Sequence, residues 1–184
     1  VVATAPSVMG REPDIENALG DWMADCYKEN LGTDVALQNG GGIRAELPAG
    51  PVTLRSIFGV MPFDNALVKL TMKGSDLRAV LDHGVGMGKI AQISGASLEY
   101  YRPKPAGERL AAVAGVGAPL DDAKIYTIAT LDFLTSGGDG YSVFDRFVSS
   151  EATGVLARDL LNECARKQGV VLAPAIGRLK RKEN

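Results

Sequence analysis

The chain has 184 residues, of which 46% are apolar and 23% charged, and a globular protein of this size builds a core without stapling by metal ions or disulfides. Its 20 Lys and Arg residues against 22 Asp and Glu give a net charge of −2, which disfavours a general nucleic-acid-binding protein. No apolar run approaches the ~18 residues that a membrane-spanning helix needs. The residues after Val1 show no export-signal pattern, so we expect any such signal to have been removed already.

The first half of the chain is predicted to combine helices with short strands. Asp14 is expected to cap an amphipathic helix over 14–30, because apolar residues follow it at helical spacing up to Gly32. The other predicted elements here are an extended segment at 1–8, a strand at 35–37, a helical turn capped by Thr53 and ending at Phe58, a strand at 66–72 and a helix at 75–85.

The second half is predicted to be richer in strands. Its predicted elements are strands at 93–102, 109–114 and 125–130, a turn at Asp121 and Asp122, a glycine-interrupted loop at 132–141, a helix at 153–167 and a terminal segment at 170–179. Helices and strands follow one another without strict βαβ alternation. This order predicts a single α+β (mixed α/β) domain over 1–184, with layered helices and mixed sheets.

The first candidate binding segment runs from Asn39 through three consecutive glycines to Arg44. Glycines after a strand let the backbone approach a ligand closely, and the exposed N–H groups of such a turn attract anions. Arg44 could then contact a phosphate or a carboxylate with two hydrogen bonds. The alternative is a tight structural turn followed by a surface arginine.

Two further loops carry an aromatic residue each. Phe133 and Asp139 lie in the glycine-rich loop 132–141, where a phenyl ring can stack on a planar base and a carboxylate can accept hydrogen bonds from ribose hydroxyls. Phe63 follows Pro62 in a second loop and could face Phe133 across a slot. For both rings, ordinary core packing is the alternative. Arg11, just before the first predicted helix, is either a surface charge or a partner of Arg44.

The chain offers few groups for catalysis. His83 is the one histidine, so neither a histidine-based metal cluster nor a triad with a second histidine is available. We expect His83 to be a surface or packing residue of its helix. Cys26 and Cys164 form no Cys-x-x-Cys motif, and they are either a disulfide or two buried thiols. We therefore expect no catalytic residue, cofactor or metal site in this chain.

These segments, in this order, resemble the C-terminal domain of the 5′-nucleotidase / UDP-sugar hydrolase / 2′,3′-cyclic phosphodiesterase family. The resemblance rests on Asn39–Arg44, Met61–Asn65, Lys73–Leu77 and Asp132–Tyr141, and it extends from about Gly10 to Leu179. It implies a 5′-nucleotidase C-terminal-domain-like fold. It also implies that a second, N-terminal metallophosphoesterase domain, absent from this chain, carries two divalent metal ions and hydrolyses the phosphate ester. Alone, this chain is then expected to be inactive.

The resemblance also implies a role for each candidate residue. Phe63 and Phe133 would sandwich the base of an AMP-like nucleotide, Asn39 would meet the base edge, and Gly95 would lie with its backbone beside the base. Asp139 would bind the ribose hydroxyls, and Arg11 and Arg44 would hold the phosphate end. Ser7 stands where some members of the family carry a further arginine.

The same resemblance implies a nucleoside 5′-phosphate hydrolase located in the periplasm or outside the cell. Its expected partners are the nucleotide, the N-terminal domain and, in a dimer, a second copy. The alternatives are a stand-alone nucleotide-binding module and a dimerisation module without catalysis.

Overall fold

The structure is a computed structural model that describes residues 1–115 and 117–183. Its helices are α1 (Ala18–Leu31), α2 (Leu54–Val60), α3 (Gly74–Gly86), α4 (Asp132–Thr135) and α5 (Ala157–Gln168). Its strands are β1 (Ala3–Ala5), β2 (Val35–Gln38), β3 (Gly50–Val52), β4 (Ala66–Lys73), β5 (Gln92–Ser94), β6 (Ala96–Tyr100), β7 (Leu110–Gly115), β8 (Ala118–Pro119), β9 (Ile125–Leu131), β10 (Ser149–Leu156) and β11 (Leu179–Arg181). The expected α+β architecture with mixed sheets is confirmed.

The central sheet has five strands in the order β10-β4-β9-β2-β5. Strands β2 and β9 are parallel, and the other neighbours are antiparallel. A second sheet has the order β11-β6-β7-β8, and β1 pairs with β3 in a two-stranded ribbon. Since β2 and β9 run in the same direction, the segments that follow them emerge at the same end of the sheet. Those segments begin with Asn39 and Asp132.

Two predicted helix starts are wrong. α1 begins at Ala18 and is capped by Asn17, whose side chain accepts a hydrogen bond from the Gly20 N–H, so Asp14 is not the cap. The last helix begins at Ala157, not at 153, because residues 149–156 pair with β4 as the edge strand β10. By contrast, Thr53 caps α2 as predicted, in a reciprocal arrangement with Ser56.

The two cysteines form a disulfide between α1 and α5, which decides between the two alternatives that the sequence left open. Both residues are buried. The Trp22 indole N–H donates to the Gln168 side chain and joins the same two helices. Among the described residues, no helix combines the length and apolar character that crossing a membrane requires.

A charged cluster of Glu16, Asp21, Asp25 and Arg178 fixes the C-terminal segment to α1. Glu16 accepts hydrogen bonds from three successive backbone N–H groups, those of residues 177–179. Arg178 donates to both carboxylate oxygens of Asp25, at 2.7 and 2.8 Å, and to the carbonyl oxygen of Ile93 at 2.9 Å. The cluster places β11 beside β6, where the two strands pair in parallel.

Candidate functional site

A cleft of about 580 Å³ lies where the loops after β2 and β9 meet, a volume in the range of small-molecule sites. Five residues predicted from sequence line it, and the structure brings them together from three separate segments: Asn39, Arg44, Phe63, Phe133 and Asp139. Its other lining residues come from the same loops and from the segment after α3: Gly41, Gly42, Asp64, Asn65, Met87 and Lys89.

The two phenyl rings at the cleft are partly exposed. Phe63 is 42% exposed and Phe133 is 44% exposed, although large apolar side chains are normally covered. Gly138 lies against the Phe133 ring so closely that a side chain there would collide with ring atoms at 2.6 Å. Phe133 is therefore held on one side by backbone while it remains open to the cleft.

Asp132 ties the segments of the two rings together. Its Oδ1 atom accepts hydrogen bonds from the Asn65 side chain at 3.1 Å and from the Phe133 N–H at 2.8 Å. Arg158 of α5 supports the same loop from the other end, donating to the Phe63 carbonyl oxygen and to the Asp64 carboxylate. The positions of both rings are therefore set by hydrogen bonds as well as by packing.

The glycines after β2 form a 3₁₀ turn, Gly40–Gly42, in which the first and third glycines are packed too tightly for a side chain. A Cβ atom on Gly40 would lie 2.5 Å from the Ile90 carbonyl oxygen, and one on Gly42 would lie 2.5 Å from the Gln38 side-chain nitrogen. Gly41 faces the cleft instead. The absence of a side chain at Gly40 lets the backbone of residues 89 and 90 pack directly against the turn.

Asn39 is buried, and its side chain makes hydrogen bonds with two protein side chains. Its Nδ2 group donates to Asp139 Oδ2 at 2.7 Å, and its Oδ1 atom accepts from Gln38 at 3.0 Å. Gln38 in turn accepts from the hydroxyl of Tyr27, whose pKa burial raises far above its usual range. This buried chain orients the Asn39 amide so that its donor faces Asp139.

Asp139 lies in the left-handed region, with φ of 54° and ψ of 22°, a conformation that costs an ordinary residue about 1–2 kcal/mol. It is the one non-glycine residue with positive φ in the described part of the chain. Its carbonyl oxygen is 2.7 Å from His83 Nε2. Since Asn39 engages Oδ2, the other carboxylate oxygen is left for a ligand.

Arg44 is exposed at the cleft and donates weakly to the Gly41 carbonyl oxygen at 3.4 Å. Arg11 is exposed and is not among the lining residues. Its segment nevertheless runs beside the cleft margin, since the Pro13 carbonyl oxygen accepts from the N–H of Ile90. The structure therefore places the Arg44 guanidinium at the cleft and the backbone next to Arg11 beside the cleft margin.

Gly95 lies elsewhere. It lines a separate, polar cavity together with Asp25, Lys28 and Arg178. Its φ is 79°, and a Cβ atom there would lie 2.0 Å from the Asp34 carbonyl oxygen. Gly95 is thus explained by the close packing of the β5–β6 turn, and the structure does not bring it to the cleft.

Sequence reasoning did not single out Met87, Lys89 or His83 as site residues. Lys89 is exposed at the cleft, and Met87 is half-buried there. Glycines at 86 and 88 flank Met87 and were the one available signal, since they permit a tight chain reversal after α3. Among the described residues, no group of three or more His, Cys, Asp or Glu side chains is placed to hold a metal ion.

Two exposed rings, the Asp139 carboxylate and the Arg44 guanidinium thus surround one cavity. The family model described as "5'-nucleotidase, C-terminal domain" matches residues 1–146. The chain therefore belongs to the family of 5′-nucleotidase C-terminal domains.

Two curated relatives and one solved structure show the extent of the similarity. The trifunctional nucleotide phosphoesterase protein YfkN of Bacillus subtilis is 31% identical over 94% of this chain and 13% of its own length. Protein UshA of Yersinia enterocolitica is 36% identical over 76% of this chain and 25% of its own. A 5′-nucleotidase precursor from Thermus thermophilus superposes with a TM-score of 0.92 at 32% identity, over all of this chain and 40% of that one. The chain thus spans a minor part of each relative.

Proposed function

We propose that this chain is the substrate-binding domain of a 5′-nucleotidase that hydrolyses nucleoside 5′-phosphates to nucleoside and phosphate. The observation that carries the proposal is the pair of half-exposed rings, Phe63 and Phe133, which line one cleft beside Asp139. A planar base between two rings gains about 1–3 kcal/mol per stacking contact, whatever its identity. The names of the relatives, a nucleotide phosphoesterase and a 5′-nucleotidase, support the same substrate class.

In this proposal each cleft residue has a task. Phe63 and Phe133 hold the base, and the free oxygen of Asp139 accepts hydrogen bonds from ribose hydroxyls. Arg44 and Arg11 attract the phosphate, to which guanidinium groups bind with two parallel hydrogen bonds. Asn39 would hold Asp139 with one N–H of its amide and meet the base edge with the other. Gly95 has no place in this scheme.

The hydrolysis itself belongs, in this proposal, to a metallophosphoesterase domain of the whole protein. Two divalent ions there would polarise the phosphate and generate the attacking water. The cleft described above would deliver the phosphate end to those ions and supply no catalytic group. The chain alone is then expected to bind nucleotide and to leave it intact.

We further propose that the protein works in an oxidising compartment, the periplasm or the outside of the cell. The disulfide between Cys26 and Cys164 supports this location, because reducing compartments keep such thiols unpaired. Two of the relatives are snake venom 5′-nucleotidases, which agrees with an extracellular setting for this type of domain.

Titration calorimetry with adenosine and AMP tests the proposal. Phe133→Ala is expected to weaken the binding of both by about 1–3 kcal/mol, and Asp139→Asn to weaken both through the ribose. Phe147→Ala is the matched control, because Phe147 is equally exposed, at 46%, but does not line the cleft. Equal affinities for the wild type and both cleft variants would show that nucleotides do not bind in this cleft.

A further inference from the structure

We infer that His83 of α3 is a positioning residue for ribose recognition, acting through the backbone of Asp139. This inference rests on the proposed function, since it gives Asp139 the ribose. It concerns a residue that does not line the cleft, and whose side chain lies behind the turn that presents the carboxylate.

The first step is the hydrogen bond itself. His83 Nε2 is 2.7 Å from the Asp139 carbonyl oxygen. Because a carbonyl oxygen can only accept, His83 must carry its proton on Nε2, and the ring donates to the turn. The neutral Nε2–H tautomer and the imidazolium both carry this proton, so both can make the hydrogen bond.

The second step is the conformation that this bond holds. Asp139 has a left-handed backbone between Gly137 and Gly140, both also with positive φ. The turn's own backbone bonds are long: Gly140 N–H to Gly137 at 3.2 Å, and Tyr141 N–H to Gly138 at 3.3 Å. A glycine-rich turn with such weak internal bonds needs an external anchor, and the short bond from His83 is one.

The third step is how His83 is fixed. Its ring meets Tyr141 edge-on, with centroids 4.4 Å apart, and Tyr141 is buried. Gly140 leaves room for the imidazole, since a Cβ atom there would lie 3.3 Å from His83 Cε1. The imidazole is thus packed in one orientation, with its donor aimed at Asp139.

The fourth step links both ends of Asp139. Asn39 holds the carboxylate at Oδ2 and His83 holds the backbone at the carbonyl oxygen. Two anchors on one residue, which itself lines the cleft, restrict how its carboxylate can turn. Loss of the His83 bond is expected to let the turn rotate and so to weaken the contact with ribose hydroxyls, while the stacking rings stay in place.

The test compares His83→Phe with His83→Gln. Phenylalanine keeps an aromatic ring against Tyr141 but donates no hydrogen bond, whereas glutamine restores a donor. Amide hydrogen exchange needs no ligand: the Gly140 and Tyr141 amides are expected to exchange several-fold faster in His83→Phe and at nearly the wild-type rate in His83→Gln. Unchanged exchange in His83→Phe would overturn the inference, whatever the domain binds.

The ligand measurement uses adenosine and 2′,3′-dideoxyadenosine. One lost hydrogen bond corresponds to a roughly 2- to 12-fold weaker affinity, so His83→Phe is expected to lose that factor for adenosine and none for the dideoxy compound. Equal losses for both compounds would contradict a role through the ribose. In the Asp139→Asn background, His83→Phe is expected to cause little further loss.

The failure of the proposed function has a different signature. If wild-type protein binds neither compound, or binds both equally, Asp139 does not recognise ribose and that assignment falls. The exchange measurement still decides whether His83 anchors the turn. If His83→Phe does not fold, faster exchange in His83→Gln than in the wild type would contradict the anchor on its own.

Discussion

The cleft and the charged cluster both gather polar side chains, and they differ in whether those side chains are bound within the protein or open to a cavity. In the charged cluster, Glu16 is saturated by three backbone N–H groups and Arg178 by Asp25 and Ile93. In the cleft, two rings are nearly half exposed, and a carboxylate oxygen and a guanidinium face the cavity. A concentration of charge therefore does not identify a site. What distinguishes the cleft is that its groups are open to a cavity, whereas the carboxyl oxygens of Asp21 in the charged cluster lack hydrogen-bond partners but are fully buried.

The comparison predicts that substitutions in or beside the charged cluster change stability, and that substitutions at the cleft change binding. The largest effect is expected from the disulfide that joins α1, the helix carrying Asp21 and Asp25, to α5. Replacing both cysteines by alanine should lower the free energy of unfolding by about 4 kcal/mol, because the bond closes a long loop. Urea denaturation measures this change. Adenosine affinity below the unfolding transition is expected to be unchanged. If the variant lost affinity without losing stability, the separation between a stabilising region and a binding region would be contradicted.

Arg178→Ala is expected to be the next largest effect. It leaves the half-buried Asp25 carboxylate without its cation and removes the guanidinium that lies 3.7 Å from the fully buried Asp21. Removing one member of a buried charge pair costs about 3–5 kcal/mol, and the partial exposure of Arg178 places the expected loss near the lower limit. Arg181→Ala, an exposed residue of β11, is the control and should have little effect on the urea midpoint.

At the cleft, Asp132→Ala should act on binding more than on stability. It removes the acceptor shared by Asn65 and Phe133, so the two ring-bearing segments separate and adenosine binds more weakly by about 1 kcal/mol. Asp132→Asn keeps an oxygen at Oδ1 and is expected to remain close to wild type. Calorimetry checks both variants, and an equal loss in the two would point to the charge of Asp132 instead of its hydrogen bonds.

The last expected effect is a pH dependence of stability that comes from Asp21. Burial, and then the neighbouring Glu16, raise the pKa of Asp21 from 3.8 to about 8. The folded state therefore keeps a proton that the unfolded chain releases, and this group lowers the free energy of unfolding as pH rises from about 4 to about 8. The slope cannot exceed about 1.4 kcal/mol per pH unit.

Asp21→Asn should remove that slope. Burial acts to raise the pKa of Glu16, but its backbone hydrogen bonds outweigh burial and lower it below 4.5, so its stabilising contribution is lost only at more acidic pH. Urea denaturation from pH 5 to pH 9 isolates the contribution of Asp21. As pH rises, the free energy of unfolding of Asp21→Asn should increase relative to that of the wild type. If the free energy of unfolding changed with pH in the same way for both proteins, Asp21 would have to be ionised in the folded state.

Local signals in the sequence were sufficient for some elements and misleading for others. Thr53 and Ser56 form their cap within one turn, so local chemistry determines where α2 starts. Asn17 displaced the predicted Asp14 cap because its backbone N–H also bonds to Gln92, far away in the chain. β10 was missed because its residues, exposed along most of the strand, have no apolar alternation and take their structure from pairing with β4.

The site shows the same division. Residue types in fixed motifs were enough to nominate Asn39, Arg44, Phe63, Phe133 and Asp139, because glycine-rich turns and loop aromatics are local features. That Asn39 holds Asp139 could not be predicted from the motif, since this contact depends on Gln38, Tyr27 and a carboxylate a hundred residues further along the chain.

The sequence by itself determined the α+β class, the family resemblance and the segments from which a nucleotide cleft could be built. Only the tertiary structure decided which of them meet: it gathered five residues at one end of the central sheet, left Gly95 in another cavity, paired the cysteines and placed His83 behind Asp139. The physical reason is that motifs report backbone and side-chain preferences over a few residues. Contacts between distant residues are set by the packing of β2 beside β9 and of α1 against α5.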